Sequence, residues 1–320
     1  MVLNIIISIV GFAVLLKCAD FFVDGASSLA KNFKVPSIVI GLTIVAFGTS
    51  APEFAVSFSS HAAGNSDMMF GNAIGSNIVN TLFIIGLSVV LVPFNIQSDL
   101  LKKQLPLLLL ITLAFSALFI GNFAIGGEKE YSLSRTDGIV LILLFSVFVY
   151  YLISLIFKSP AGTADDEKPK YKLLKAIIMT LLGLAGIILG SKLVVDNVAE
   201  FADRVGISQK IISVTIIAIG TSLPELVTTI TAILKGERDI AVGNIIGSNI
   251  FNICIVLGLP VIIFGDAVTV SFNYMDLVFL IASVVLLWIF SATSRKLKRY
   301  EGVTMILAYF VYGAFILGPF

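Results

Sequence analysis

The sequence predicts an all-α membrane protein: ten transmembrane helices arranged as two five-helix repeats of inverted topology. Three observations lead there. The first is composition. Of 320 residues, 58% are hydrophobic and 13% charged, and the mean hydropathy is +1.05. The apolar surplus falls in long runs, and about 20 apolar residues are what one helix needs to cross the hydrocarbon. The second is recurrence. Gly48-Thr49-Ser50-Ala51-Pro52-Glu53 returns as Gly220-Thr221-Ser222-Leu223-Pro224-Glu225. Gly71-Asn72-Ala73-Ile74-Gly75-Ser76-Asn77-Ile78-Val79-Asn80 returns as Gly243-Asn244-Ile245-Ile246-Gly247-Ser248-Asn249-Ile250-Phe251-Asn252. Both pairs are offset by 172 positions, as are Asp24 and Asp196, and Gly86 and Gly258. Chance matches would not keep register across four landmarks, so a structural unit is duplicated. The third is parity: each copy holds five apolar spans, and an odd number turns the second copy upside down.

The first repeat, 1–157, reads as spans at 3–23, 35–60, 69–93, 104–121 and 138–157. The run Val2–Leu16 lacks a basic leader and continues through Lys17 and Asp20 into repeated sequence, so it is a retained helix rather than a signal peptide. Span 2 carries the Pro-Glu motif and span 3 the Gly-Ser-Asn motif. Spans 4 and 5 are plain apolar runs flanking the polar loop Gly121–Asp137, which carries Glu128, Lys129, Glu130, Arg135 and Asp137. Residues 158–172 join the halves. Their Ser159-Pro160-Ala161-Gly162 start and mixed charges read as a flexible linker, too short for a folded domain. The second repeat, 173–320, follows with spans at 173–195, 207–233, 240–264, 275–292 and 301–318.

Orientation follows from lysine and arginine. Loops on the linker's side hold fifteen of them and the opposite side four, with Lys17 and Lys192 at span ends. Basic residues favour the cytoplasm, so the linker is expected inside and both termini outside a plasma or inner membrane. A net charge of +1 leaves nucleic-acid binding without an electrostatic basis. Cys18 and Cys254 lie in apolar stretches and read as small hydrophobes rather than a disulfide or zinc site. With one histidine and no nucleophile–base pair, hydrolytic enzyme chemistry finds no residues, and no cofactor or protein partner is expected. His61 has no repeat image and reads as a surface residue. Asp24 and Asp196 recur near span ends and read as helix-end structure.

The repeated motifs carry the chemistry. In span 2, Gly48 permits close backbone approach, and Pro52 removes a helical N–H while displacing the carbonyl one turn back. Backbone oxygens released at bilayer depth need a partner, and a bound cation is one. Glu53 adds formal charge at that level and Ser50 a neutral oxygen. Thr221, Ser222, Pro224 and Glu225 repeat the arrangement. Intramembrane carboxylates are expensive, so a matched pair of them marks a site. In span 3 a small-residue face at Gly71, Gly75 and Ser76 suits close helix packing, as do Gly243, Gly247 and Ser248. Ser76 and Asn80 lie four apart on one face, and Ser248 and Asn252 match them. Neutral hydroxyl and amide oxygens suit a monovalent ion, whereas two carboxylates suit Ca²⁺, which takes about 6–8 oxygen ligands.

These segments resemble the two alpha-repeats of the calcium/cation antiporter superfamily, and the resemblance runs over the whole ten-span plan. The chain is most similar to prokaryotic sodium/calcium exchanger-like proteins without a large regulatory loop. The resemblance implies that Glu53 and Glu225 bind Ca²⁺ together with the Thr49 and Thr221 carbonyls. It implies that Ser50, Ser76, Ser222 and Ser248 line sodium sites with Asn80 and Asn252 at the centre, and that spans 1 and 6 are gating helices. Many sodium/calcium members carry aspartate where this chain has Asn252, and proton/calcium exchangers often carry asparagine.

The expected function is therefore Ca²⁺ antiport driven by Na⁺, by alternating access in the lipid bilayer. Proton/calcium exchange through the same glutamates is the alternative. A cation channel, the reading from another class, would need an open path, which broken helices in an inverted repeat disfavour.

Overall fold

The computed structural model describes residues 2–124, 131–158, 168–205, 218–269 and 274–317. Helices dominate. They are α1 (Val2–Phe33), α2 (Ser37–Thr49), α3 (Ala51–Ala62), α4 (Ser66–Leu91), α5 (Leu100–Gly121) and α6 (Arg135–Lys158). After residue 172 come α7 (Leu173–Arg204), α8 (Ala218–Thr221), α9 (Leu223–Leu234), α10 (Arg238–Phe264), α11 (Tyr274–Ser294) and α12 (Arg299–Leu317). Seven helices are long and apolar enough to cross a membrane, or eight if the bent α2–α3 pair is one span, among the described residues. The described parts of the expected spans are mostly helical, apart from residues 35–36 and 92–93 and the breaks at Ser50 and Ser222. The start of span 7, the middle of the linker, and Glu128, Lys129 and Glu130 lie outside the described residues.

Two helices run past their expected ends. Hydropathy stops span 1 at residue 23, yet α1 continues to Phe33 with Ala26, Leu29 and Ala30 buried. Likewise α7 continues to Arg204. Asp24 and Asp196 are thus within helices rather than at their ends. Asp24 is paired there: its carboxylate meets Lys170 Nζ at 2.7 Å and Lys235 Nζ at 2.6 Å. Lys235 also reaches Asp20 at 2.6 Å.

The chain forms two compact units, each drawing on both halves of the sequence. One comprises Met1–Pro52 with Leu152–Gly247, the other Glu53–Tyr151 with Ser248–Phe320. In the first, α1 lies along α7 at glycine-mediated distance. A Cβ on Gly183 would sit 2.7 Å from Phe22 N, and one on Gly11 would sit 3.2 Å from Val194 N. Those two contacts are images of each other under the repeat offset. The start of α10 presses on α2 in the same manner: a Cβ on Gly247 would lie 2.6 Å from Leu42 O, and one on Gly243 2.9 Å from Ile38 O. The corresponding partners for Gly71 and Gly75, residues 210–218 by the same offset, lie mostly outside the described residues.

In the second unit, two short ladders exchange segments between the repeats. β1 (Phe94–Asn95), which follows α4, pairs antiparallel with β4 (Lys296–Leu297), which precedes α12. β2 (Tyr131–Leu133), which precedes α6, pairs antiparallel with β3 (Ala267–Thr269), which follows α10. Glycine contacts repeat the exchange. A Cβ on Gly86 in α4 would lie 3.0 Å from Gly302 O in α12, and one on Gly258 in α10 would lie 3.2 Å from Gly138 O in α6. Phe70, Phe115, Phe119 and Phe148 fill the core of this unit.

Candidate functional site

Both Pro-Glu motifs break their helix at the serine. Ser50, between α2 and α3, has φ −82° and ψ 6°, and Ser222, between α8 and α9, has φ −85° and ψ 4°. The axis bends 46° between α2 and α3. The break follows from the sequence: a proline two residues on cannot donate to the preceding turn but is well placed in the first turn of a new helix. Each glutamate then falls in the first turn of its half-helix. Unsatisfied N–H groups and the helix dipole favour a negative group there. Glu53 and Glu225 are both wholly buried.

In the first unit, Ser50 Oγ donates to Glu225 Oε1 at 2.8 Å. Thr49 Oγ1 donates to Asn244 Oδ1 at 3.0 Å, and Asn244 Nδ2 donates to Thr229 Oγ1 at 3.0 Å. Ser191 Oγ donates to the Gly220 carbonyl at 3.1 Å, fixing the backbone just before Thr221. Thr221 and Ser222 are buried beside the break.

In the second unit, Asn72 Nδ2 donates to the Glu53 carbonyl at 3.0 Å and to Ser57 Oγ at 2.9 Å. The Asn72–Ser57 bond is the repeat image of Asn244–Thr229. Farther along α4 and α10 the asparagines exchange partners. Asn80 Nδ2 donates to Asn249 Oδ1, and Asn252 Nδ2 to Asn77 Oδ1, both at 3.2 Å. Asn249 Nδ2 donates to Thr81 Oγ1 at 2.7 Å. These bonds fix which end of each amide is engaged. The Asn80 and Asn252 Oδ1 atoms and Ser76 Oγ are buried without a hydrogen-bond partner. Ser248 is buried as well. Turns of π-helix occur at corresponding places, Val79–Ile84 in α4 and Asn252–Leu257 in α10. Such turns withhold carbonyls from ordinary helical bonding and cluster at functional sites.

The structure thus joins Ser50 directly to Glu225 and assigns Asn80 and Asn252 matched settings. It also adds residues that the sequence reading passed over: Asn72, Asn77, Asn244, Asn249, Ser57, Thr229, Thr81 and Ser191. The signal for the asparagines was present, since three of them stand in each Gly-Asn-x-Ile-Gly-Ser-Asn-Ile-x-Asn segment and only the last was singled out. His61, expected at the surface, is buried. Its Nε2 is 2.9 Å from the Gly265 carbonyl and its Nδ1 3.2 Å from Ser66 Oγ, so it serves as a local strut. Among the described residues no three histidine, cysteine or acidic side chains gather as a metal cluster. The polar sets are built instead from single carboxylates surrounded by neutral oxygens.

A bundle of long apolar helices, with doubled helix breaks and buried carboxylates, defines an integral multi-pass membrane protein of the cation-handling class. Comparison with known proteins assigns the family. The sodium/calcium exchanger protein family model matches residues 3–154 and 175–318, so the chain belongs to that family. It is 38% identical to the putative antiporter CaxA of Alkalimonas amylolytica, over 98% of both chains. It is 32% identical to the sodium/calcium exchanger MaX1 of Methanosarcina acetivorans, over 96% of both. Among solved structures, the sodium-calcium exchanger NCX_Mj soaked with Na⁺ and Ca²⁺ superposes with a TM-score of 0.83 at 28% identity, covering 98% of each chain.

Proposed function

We propose that the protein is a secondary antiporter that moves Ca²⁺ against Na⁺ across the plasma or inner membrane by alternating access. The observation that carries this reading is the doubled helix break that buries one carboxylate in each copy, at the start of a half-helix. Glu53 and Glu225 balance the charge of Ca²⁺, assisted by the Thr49 and Thr221 carbonyls. Ser50, Ser76, Ser222, Ser248, Asn80 and Asn252 offer neutral oxygens to the coupling ion. The partnerless amide oxygens of Asn80 and Asn252 support this assignment. When Ca²⁺ leaves, two bare carboxylates in a low-dielectric interior are costly, so another cation must take its place. That replacement couples the two fluxes.

The fold reading that accompanies it is ten spans in two inverted repeats, 1–157 and 173–320, with a cytoplasmic linker at 158–172 and both termini outside. Paired exchanges such as β1 with β4 and β2 with β3 support a two-fold relation between the copies. A second reading, proton/calcium exchange, is favoured by one residue: Asn252 supplies no charge where a sodium-coupled site could use one. Transport of radiolabelled Ca²⁺ into proteoliposomes separates the two. Uptake driven by an outward Na⁺ gradient, and absent with an outward proton gradient alone, is expected. Robust uptake driven by pH in Na⁺-free, K⁺-free vesicles would replace the sodium reading with the proton one.

A further inference from the structure

We infer that Thr228 supplies a hydroxyl ligand to the coupling sodium ion beside Glu225, an oxygen that the other repeat lacks; this rests on the antiport reading above. Thr228 follows Glu225 by three residues in α9, and side chains at that spacing share a helix face, with Cβ atoms about 5–6 Å apart. Both residues are wholly buried. Thr228 Oγ1 has no hydrogen-bond partner. A buried hydroxyl in a helix ordinarily satisfies itself by donating to the carbonyl four residues back. Thr112 and Thr180, both buried, do so here. Thr228 does not, although leaving such a group unmet is unfavourable.

The adjacent position sharpens the contrast. Thr229 Oγ1 accepts from Asn244 Nδ2, and its image Ser57 accepts from Asn72 Nδ2. A hydroxyl is present in both copies at that register because both copies use it to hold an asparagine. One position earlier the copies diverge: Val56 stands where the second repeat has Thr228. The hydroxyl is therefore no requirement of the shared scaffold. Its setting suits a monovalent ion. Glu225 provides one negative charge with Oε1 already accepting from Ser50, and a neutral hydroxyl adds an oxygen without adding charge. Sodium at this position is balanced by a single carboxylate, whereas Ca²⁺ draws on both glutamates. The two copies are then chemically unequal, and sodium favours the Glu225 side.

Thr228→Val tests this, because valine is nearly isosteric and is the residue the first repeat carries in register. In proteoliposomes the variant should need about tenfold more Na⁺ for half-maximal Ca²⁺ exchange, a larger change than in its Ca²⁺ requirement. Thr228→Ser, which keeps the hydroxyl, should stay close to the parent. Thermal melts of the detergent-solubilised protein give a readout independent of flux: Na⁺ should raise the melting temperature of the parent more than that of Thr228→Val or Thr228→Ala. Unchanged sodium dependence in the valine variant overturns the assignment. So does an equal rise in the sodium and calcium requirements, or a parent protein indifferent to Na⁺. Normal Ca²⁺ flux in Glu225→Gln would instead remove the antiport reading itself, whatever Thr228→Val shows.

Discussion

A carboxylate buried in the first turn of a half-helix has a favourable dipole beside it but little water to share its charge. Glu225 is met by Ser50, and the backbone carbonyl of Glu53 is held by Asn72. Neither glutamate can be neutralised by amidation without consequence, if both balance one divalent ion. Glu53→Gln and Glu225→Gln should each abolish Ca²⁺ transport while the protein still folds and inserts. The uncompensated charge left on a bound Ca²⁺ is worth on the order of several kcal/mol in such a setting. Flux measurements on reconstituted variants check this, and near-normal uptake in either single variant would rule out the paired role. At this scale the sequence was partly legible. The glutamates, serines and terminal asparagines stood out through recurrence. Asn244 recurred too, as the image of Asn72, but its role shows only in the fold, where it bonds Thr229 and Thr49. Thr229 did not stand out, because its image is Ser57 rather than a second threonine.

Among the elements, the helix breaks were readable because proline chemistry is local: Pro52 and Pro224 end one helix and begin another whatever surrounds them. The extent of α1 was not. Asp20 and Asp24 end the apolar run, yet the helix continues for two more turns, with Ala26, Leu29 and Ala30 buried and the two carboxylates met by Lys170 and Lys235 from far along the chain. The short ladders were unreadable for a similar reason, since two- and three-residue strands exist only through their pairing. The α1–α7 contact was foreshadowed only by its glycines, and it gives a stability prediction. A Cβ on Gly183 meets backbone atoms of Phe22 at 2.7 and 2.8 Å, which cannot rotate away. Gly183→Ala should therefore destabilise the protein by about 1–3 kcal/mol. A Cβ on Gly313 has nothing within 4 Å, so Gly313→Ala should be neutral or slightly stabilising, given alanine's higher helix propensity. Thermal melts in detergent compare the two, and equal melting temperatures would contradict the tight α1–α7 contact.

For the molecule as a whole, the apolar runs made the class plain and the constant offset made the duplication plain. Which residues form each compact unit was not legible, because hydropathy and periodicity report on neighbours in sequence, whereas each unit takes long stretches from both halves. The excess of lysine and arginine on the linker's side sets the expected orientation. Single cysteines introduced at 158–172, in a background lacking Cys18 and Cys254, should react with impermeant reagents only from the cytoplasmic side. Cysteines at the extreme C-terminus should react only from outside. The reverse pattern would invert the proposed topology.

The interleaving of the two units bears on how much the covalent chain matters once folding is done. Neither unit can be completed by residues from one half alone, because Met1–Pro52 needs Leu152–Gly247 and Glu53–Tyr151 needs Ser248–Phe320. The peptide bonds of the linker, in contrast, tie together pieces already clasped by α1 against α7 and by both strand ladders. Fragments 1–157 and 173–320, expressed from separate genes in one cell, should therefore find each other in the membrane and restore transport, whereas either alone should be degraded. Co-purification through a tag on one fragment measures the association. The protein is in this sense a heterodimer of its own halves.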